Sequence, residues 1–167
     1  MRRFGLGLLG CLLFFGLSNL AIGAADAATI VALGASNTYG KGVARNQSYP
    51  AQLEAILRAK GSNVRVVNAG INGDTTEGML ARLDRAVPNG TSAVILQPGG
   101  NDRRKGSADR TAEIQSRLAA RGIPVIMLSN GMLHGLPHQP DGQHLTPEGY
   151  HMLAEALAPQ VSGAIGR

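Results

Sequence analysis

Cysteine and tryptophan are the residues that this sequence most clearly lacks. Its single cysteine is Cys11, near the N-terminus, and there is no tryptophan in 167 residues. A domain without Cys11 therefore has no disulfide, no thiol chemistry and no cysteine-ligated metal. Because aromatic residues make up only 4% of the chain, we expect a core built mostly of Val, Ile, Leu, Ala and Met.

A long hydrophobic run is also missing, although the N-terminus carries a short one. Arg2 and Arg3 precede an apolar stretch at residues 6–17, and Ala-Asp-Ala follows at residues 25–27, with residues 23–25 as an alternative cleavage site. This order of basic, apolar and small residues is typical of a secretory signal peptide. An uncleaved membrane anchor is the alternative, but the apolar stretch is short for a span and contains glycines.

These features divide the chain into a signal peptide at residues 1–27 and a single domain at residues 28–167, which is long enough to bury a core. We therefore predict a periplasmic or secreted protein with no stable membrane span after cleavage. Of 16 Lys+Arg and 11 Asp+Glu, only Arg2, Arg3 and Asp26 fall in the signal segment, which leaves the domain a net charge of +4. No aromatic residues are interleaved with the basic ones, so we expect no nucleic-acid partner.

Apolar runs alternate with helical patterns through the domain. Four of these runs suit buried strands: residues 29–33, 64–67, 93–96 and 123–128. The start of the last helix is predicted at Thr146-Pro147-Glu148, which supply a cap, a first-turn proline and a first-turn acid. Strands that alternate with helices predict a parallel sheet with helices on both faces.

Polar residues follow these runs at the places where parallel strands end. Ser36 comes just after the first strand, Gly73 lies in the loop after the second, and Asn101 lies in the loop after the third. The carboxyl ends of parallel strands meet at one edge of the sheet, where open α/β folds bind their ligands. Asp141 and His144 come just before the last helix, and one turn of chain is enough to bring this carboxylate beside its own histidine.

Each of these residue types suits acyl-transfer chemistry. A serine hydroxyl becomes a nucleophile when a base lies within hydrogen-bond reach, and histidine is the base that titrates near neutrality. A carboxylate on the second imidazole nitrogen fixes the tautomer and stabilises the imidazolium. Backbone N–H groups and a side-chain amide supply donors for the oxyanion.

With these residues in place, the sequence resembles the SGNH, or GDSL-type, hydrolases, which are named for Ser, Gly, Asn and His in four blocks. The matching blocks are GASNT at residues 34–38, NAGINGDT at 68–75, GGND at 99–102 and DGQHLT at 141–146. The similarity is greatest to bacterial periplasmic esterases of the thioesterase I/lysophospholipase type.

The resemblance implies a flavodoxin-like three-layer α/β/α sandwich with a parallel sheet of four to five strands. It implies Ser36 as nucleophile, His144 as base and Asp141 as the residue that orients it, with Ser36, Gly73 and Asn101 forming the oxyanion hole. The implied activity is that of a serine esterase without cofactor or metal. Its substrates would be short to medium acyl esters, thioesters or lysolipids.

The chain departs from the family pattern in two places. The family usually has Asp at the position of Ala35, so the turn that holds Ser36 is expected to lose a polar support. The stretch between Asn101 and Asp141 is short for the family, which leaves open whether a fifth strand is present and reduces the acyl-binding wall. Two other functions stay open: a carbohydrate O-acetylesterase with the same triad, and a non-catalytic glycan- or lipid-binding module.

Further charged or metal-ligating side chains lie near these blocks. His134 and His138 share a loop with His144, but a loop rich in Gly and Pro does not enforce ligand geometry, so we expect no metal site. The basic run at residues 103–105 follows Asn101 directly. It is either a solvated loop or a device that steers an acidic head group toward the site.

Overall fold

The computed structural model describes residues 26–166. Nearly all of the predicted signal peptide therefore lies outside the described residues. Within residues 26–166, no helix combines the length and the apolar character that crossing a membrane requires.

Four parallel strands form one sheet in the order β2-β1-β3-β4. The strands are β1 (Ala28–Gly34), β2 (Val64–Gly70), β3 (Thr91–Gln97) and β4 (Val125–Met127). This is the flavodoxin-like order without a fifth strand in the described part of the chain. The predicted parallel sheet is confirmed, at the lower of the two expected strand counts.

Seven α-helices and two 3-10 turns connect the strands in the described range. The helices are α1 (Ser36–Tyr39), α2 (Tyr49–Ala59), α3 (Thr76–Ala81), α4 (Leu83–Ala86), α5 (Asn101–Lys105), α6 (Thr111–Ala120) and α7 (Pro147–Ile165). The 3-10 turns are at Arg45–Gln47 and Asn130–Leu133.

The fourth strand is shorter than the apolar run that predicted it. The N–H group of Ile123 donates to the carbonyl of Leu118 at 3.0 Å and so closes the turn after α6. Pro124 follows and has no N–H group to give to a ladder. The strand therefore begins only at Val125.

The sheet separates two apolar cores because alternate residues of a strand point to opposite faces. From β1, Ile30 and Ala32 pack with α2 and α7 on one face. Val31 and Leu33 pack on the other face with side chains from α3, α4 and α6. All four β1 residues are fully buried. The expected three-layer sandwich is therefore confirmed.

At the carboxyl edge of the sheet, glycines let α1 lie directly against the strands. Gly34 pairs with Gly70 across β1 and β2. A Cβ on Gly70 would lie 2.2 Å from the backbone nitrogen of Tyr39, in α1. The absence of side chains here lets α1, with Ser36 at its start, sit close to the sheet edge.

Candidate active site

Three of the predicted residues form one continuous hydrogen-bonded chain. Ser36 Oγ lies 2.8 Å from His144 Nε2, and His144 Nδ1 lies 2.5 Å from Asp141 Oδ2. His144 is buried, with 6% of its surface exposed, whereas 41% of the Asp141 side chain is exposed. A hydroxyl, an imidazole and a carboxylate are thus brought together across 108 residues of sequence.

The loop before α7 holds the histidine by its backbone. Oδ1 of Asp141 accepts the N–H groups of Gln143 at 2.9 Å and His144 at 3.0 Å. The carbonyl of His144 accepts the N–H group of Gln139 at 2.7 Å, and His138 bridges to Leu145 in an antiparallel pair. One carboxylate therefore fixes both the loop and the ring that it contacts.

Hydrogen bonding also fixes the charge of Asp141. The bond to the His144 side chain, followed by the backbone bonds from His144 and Gln143, lowers the pKa of the Asp141 carboxyl well below its ordinary value. An ionised Asp141 accepts a hydrogen bond from the N–H group at Nδ1 of the imidazole. Nε2 is then the unprotonated nitrogen, and it faces the hydroxyl of Ser36.

The three expected oxyanion donors, Ser36, Asn101 and Gly73, differ in what their polar groups already contact. Ser36 is the first residue of α1, so its backbone N–H group has no acceptor within that helix. Asn101 Nδ2 donates to the carbonyl of Asp74 at 2.7 Å, and an amide nitrogen has a second hydrogen to give. Gly73 has a φ of 72°, and its carbonyl accepts from Lys105 Nζ at 2.6 Å.

Most of these residues line one cavity of about 240 Å³. Ser36, Asn101 and His144 line it, whereas Gly73 and Asp141 do not. The apolar side chains in its lining are those of Ala35 and Leu133; the remaining lining residues are polar, charged or glycine. The cavity is therefore small and mostly polar.

The turn that holds Ser36 has a polar support that the sequence pattern did not reveal. The N–H group of Ala35 and the hydroxyl of Thr38 each donate to Gln97 Oε1 at 3.1 Å. Gln97 ends β3 and is only 2% exposed. A buried glutamine on the neighbouring strand thus holds both sides of the turn. The one signal for it in the sequence is a polar residue at the end of an apolar run.

Replacing Gln97 with methionine should weaken both the fold and the site. The variant keeps a long side chain but leaves the buried N–H group of Ala35 without an acceptor. We expect the free energy of unfolding to fall by about 2 kcal/mol, and kcat/KM for an ester to fall about tenfold as Ser36 loses its fixed position. Urea unfolding and steady-state kinetics measure the two effects.

Gln160→Met is the matched control, because Gln160 is exposed on α7. That substitution should change the free energy of unfolding by less than about 0.5 kcal/mol. If the two variants proved equally stable, Gln97 would not support the turn.

Three further side chains link the nucleophile turn, the histidine loop and the helices α5 and α7. Asn37 Nδ2 donates to the carbonyl of Gln143 at 3.1 Å, and Tyr150 on α7 donates its hydroxyl to Asn37 Oδ1 at 3.0 Å. Arg104 donates to Asn101 Oδ1 at 2.5 Å and also to Gln143 Oε1. No spacing in the sequence predicts the contacts of Asn37 with Gln143 and Tyr150 or that of Arg104 with Gln143, because they join residues that are far apart in the chain.

Known proteins share sequence and fold with this chain. Residues 32–131 match the model of the GDSL-like lipase/acylhydrolase family. That range includes Ser36, Gly73 and Asn101 and ends before Asp141 and His144.

Two curated relatives are esterases by name. Esterase TesA of Pseudomonas aeruginosa is 37% identical over 112 residues, which covers 62% of this chain and 55% of the relative. Thioesterase 1/protease 1/lysophospholipase L1 of Escherichia coli is 33% identical over 115 residues, which covers 65% of this chain and 54% of the relative. The matched segment thus spans about half the length of these relatives.

Solved structures show the same fold. The crystal structure of TesA superposes with a TM-score of 0.67 at 26% identity, covering 81% of this chain and 99% of that one. AlinE4, an SGNH-hydrolase family esterase, superposes with a TM-score of 0.54 at 28% identity, covering 84% of this chain and 74% of that one. With the family model matching more than half of its residues, this chain belongs to the GDSL-like lipase/acylhydrolase family.

Proposed function

We propose that this protein is a serine esterase that acts through an acyl-Ser36 intermediate. The observation that carries the proposal is the unbroken contact from Ser36 Oγ through His144 to an ionised Asp141, opening into a cavity beside Asn101. A nucleophile, a base and an orienting group in hydrogen-bond contact are the requirements for covalent acyl transfer.

In the acylation step, Ser36 Oγ attacks the ester carbonyl carbon while its proton passes to His144 Nε2. The carbonyl oxygen becomes an oxyanion, which accepts hydrogen bonds from the N–H group of Ser36, the amide of Asn101 and, in this proposal, the N–H group of Gly73. The tetrahedral intermediate collapses as the alkoxide or thiolate leaves and takes the proton from Nε2. Acyl-Ser36 remains.

Deacylation repeats these steps with water as the nucleophile. Water adds to the acyl carbon and gives a proton to His144 Nε2. The second collapse releases the carboxylic acid and returns the proton to Ser36 Oγ. Asp141 stays ionised throughout and stabilises the imidazolium that forms in each half-reaction.

The cavity favours the shorter of the predicted substrates. Each buried methylene is worth about 0.8 kcal/mol where apolar surface receives it, and here Ala35 and Leu133 supply the apolar side chains. We infer that acetyl to butyryl esters and thioesters are better substrates than long-chain lysolipids.

We also propose that the protein is exported, because the sequence predicts a signal peptide at residues 1–27.

The polar lining also favours a second candidate, a carbohydrate O-acetylesterase. Asn130, His134 and Gln143 line the cavity and present groups that hydrogen-bond to sugar hydroxyls. Release of acetate from acetylated xylan at a higher kcat/KM than from 4-nitrophenyl acetate would favour this candidate over a general esterase.

The proposal is tested by hydrolysis of 4-nitrophenyl acetate, butyrate and octanoate. We expect turnover by the wild type, no turnover above background by Ser36→Ala, and a kcat/KM for octanoate no greater than that for butyrate. Ser162→Ala, which changes an exposed serine on α7, is the control and should match the wild type. A folded wild type without turnover would instead support a non-catalytic binding module.

A further inference from the structure

We propose that the active-site cavity selects esters that carry an anionic group, a carboxylate or a phosphate, which Arg103 and Arg104 bind. The inference rests on the proposed esterase function and adds the substrate class. It would make this protein an esterase for small acidic esters rather than for neutral lipids.

The first observation is the charge of the cavity. Arg103 and Arg104 both line it, and both are exposed. Among the residues that the structure describes, no aspartate or glutamate lines this cavity. Two positive charges therefore face a ligand space without a carboxylate in its wall.

The second observation is what these guanidinium groups already contact. Arg104 donates to the side-chain oxygens of Asn101 and Gln143, which are neutral amides. Among residues 26–166, the Arg103 side chain takes part in no hydrogen bond or ion pair. Neither cation is thus neutralised by the fold.

The carboxylates closest in sequence to the site are already engaged. Asp74 forms an ion pair with Arg82 at 2.9 Å. Asp102, buried beside Asn101, accepts the N–H group of Thr76 at 2.9 Å. Asp141 accepts from His144, as described above. None of the three compensates Arg103 or Arg104.

Several arginines elsewhere in the described part of the chain form ion pairs with carboxylates, as Arg103 and Arg104 do not. The pairs are Arg58–Glu54, Arg82–Asp74, Arg110–Glu113, Arg117–Glu113 and Arg121–Asp84. The uncompensated guanidinium groups at the cavity are the two that stand beside the proposed oxyanion donor, Asn101.

A guanidinium group matches the planar geometry of a carboxylate or phosphate and binds either with two parallel hydrogen bonds. Arg103 and Arg104 follow Asn101 by two and three residues on α5. An anionic group held there would therefore lie on the α5 side of a carbonyl bound at Ser36. The same charges attract anionic substrates from solution, an effect that salt weakens.

Matched ester pairs test the inference. The carboxylate pair is 3-acetoxybenzoate and its methyl ester; the phosphate pair, which mimics a lysolipid head group, is 1-acetylglycerol 3-phosphate and 1-acetylglycerol. For at least one pair we expect kcat/KM to be about fivefold higher for the anion in the wild type, a size typical of a partly exposed charge pair. The pair that shows this preference tells whether the subsite takes a carboxylate or a phosphate.

The variant for this test is Arg103→Gln, since Arg104 contacts Asn101 and would mix two effects. We expect the anion-to-neutral ratio to fall toward one in Arg103→Gln and, for the wild type, in 0.5 M NaCl. Arg65→Gln is the control: it removes the same charge from an exposed position at the amino-terminal end of β2, at the opposite edge of the sheet. Its ratio should equal that of the wild type.

A binding measurement separates this inference from the proposed function. In the Ser36→Ala background, calorimetry compares the affinity for each anionic ester with that for its neutral partner. Selective binding without wild-type turnover would retain the anion subsite and reject the esterase. Turnover of neutral esters together with equal affinities, or a ratio unchanged in Arg103→Gln, would overturn the subsite and leave the esterase standing.

Discussion

Replacing His144 with alanine is expected to lower kcat for 4-nitrophenyl acetate by about 10⁴-fold or more, an effect of the size seen when the base of a serine triad is removed. His144 Nε2 is the group in contact with Ser36 Oγ, at 2.8 Å. Without it the hydroxyl has no acceptor for its proton as it attacks. Steady-state hydrolysis of the purified variant, corrected for the buffer rate, measures the effect.

The fold should survive this substitution, because the loop is held by bonds that do not involve the imidazole ring. The carbonyl of residue 144 still accepts from Gln139, and Asp141 still accepts the N–H group at position 143. His151→Ala is the matched control: His151 is an exposed histidine on α7 and should keep kcat within about twofold. Full activity in a folded His144→Ala protein would remove the histidine from the mechanism.

Changing Asp141 to asparagine should cause the second-largest loss of activity, lowering kcat by about 10²- to 10⁴-fold. The asparagine amide can donate to Nδ1 of the imidazole, which moves the ring proton to Nε2. The nitrogen that faces Ser36 would then be a donor and could not accept the serine proton. The imidazolium formed during the reaction would also lose its carboxylate.

Asp109→Asn is the control for that substitution. Asp109 is exposed, it also accepts a backbone N–H group, from Thr111 at 2.8 Å, and its pKa is also lowered by bonding to Thr111. Its replacement should leave kcat unchanged. If Asp141→Asn and Asp109→Asn had equal kcat values, Asp141 would serve the loop alone.

The hydrogen bonds to Asp141 make the stability of the folded protein depend on pH in one direction. Hydrogen bonds to Asp141 lower the pKa of its carboxyl in the folded protein. The resulting stabilisation is therefore present above the ordinary aspartate pKa of about 4 and is lost only as the pH falls below it. Protonation of Asp141 thus does not cause any loss of activity between pH 5 and 8.

The sequence predicted the parts of the molecule that follow from local pattern. Buried strands show as apolar runs, so β1 and β3 were predicted within two residues at each end. The fold class, expected from alternating strands and helices, is confirmed. A spacing of three residues predicted that Asp141 would reach His144, because neighbours in sequence cannot lie far apart.

Contacts made across layers were not predicted. The bond between Tyr150 and Asn37 spans 113 residues, and no residue pattern at either position reveals it. The replacement of aspartate by Ala35 predicted a less supported turn, yet Gln97 on the adjacent strand supplies an acceptor. β4 was predicted too long because its apolar run includes Ile123, whose N–H group instead closes the turn after α6.

Covalent labelling of Ser36 tests the central claim most directly. The purified protein is treated with a fluorophosphonate, and intact-mass and peptide spectrometry locate the adduct. We predict a single adduct on Ser36, absent in Ser36→Ala and formed at least about a hundredfold more slowly in His144→Ala. Labelling at another residue, or none on folded wild-type protein, would contradict an activated serine at this site.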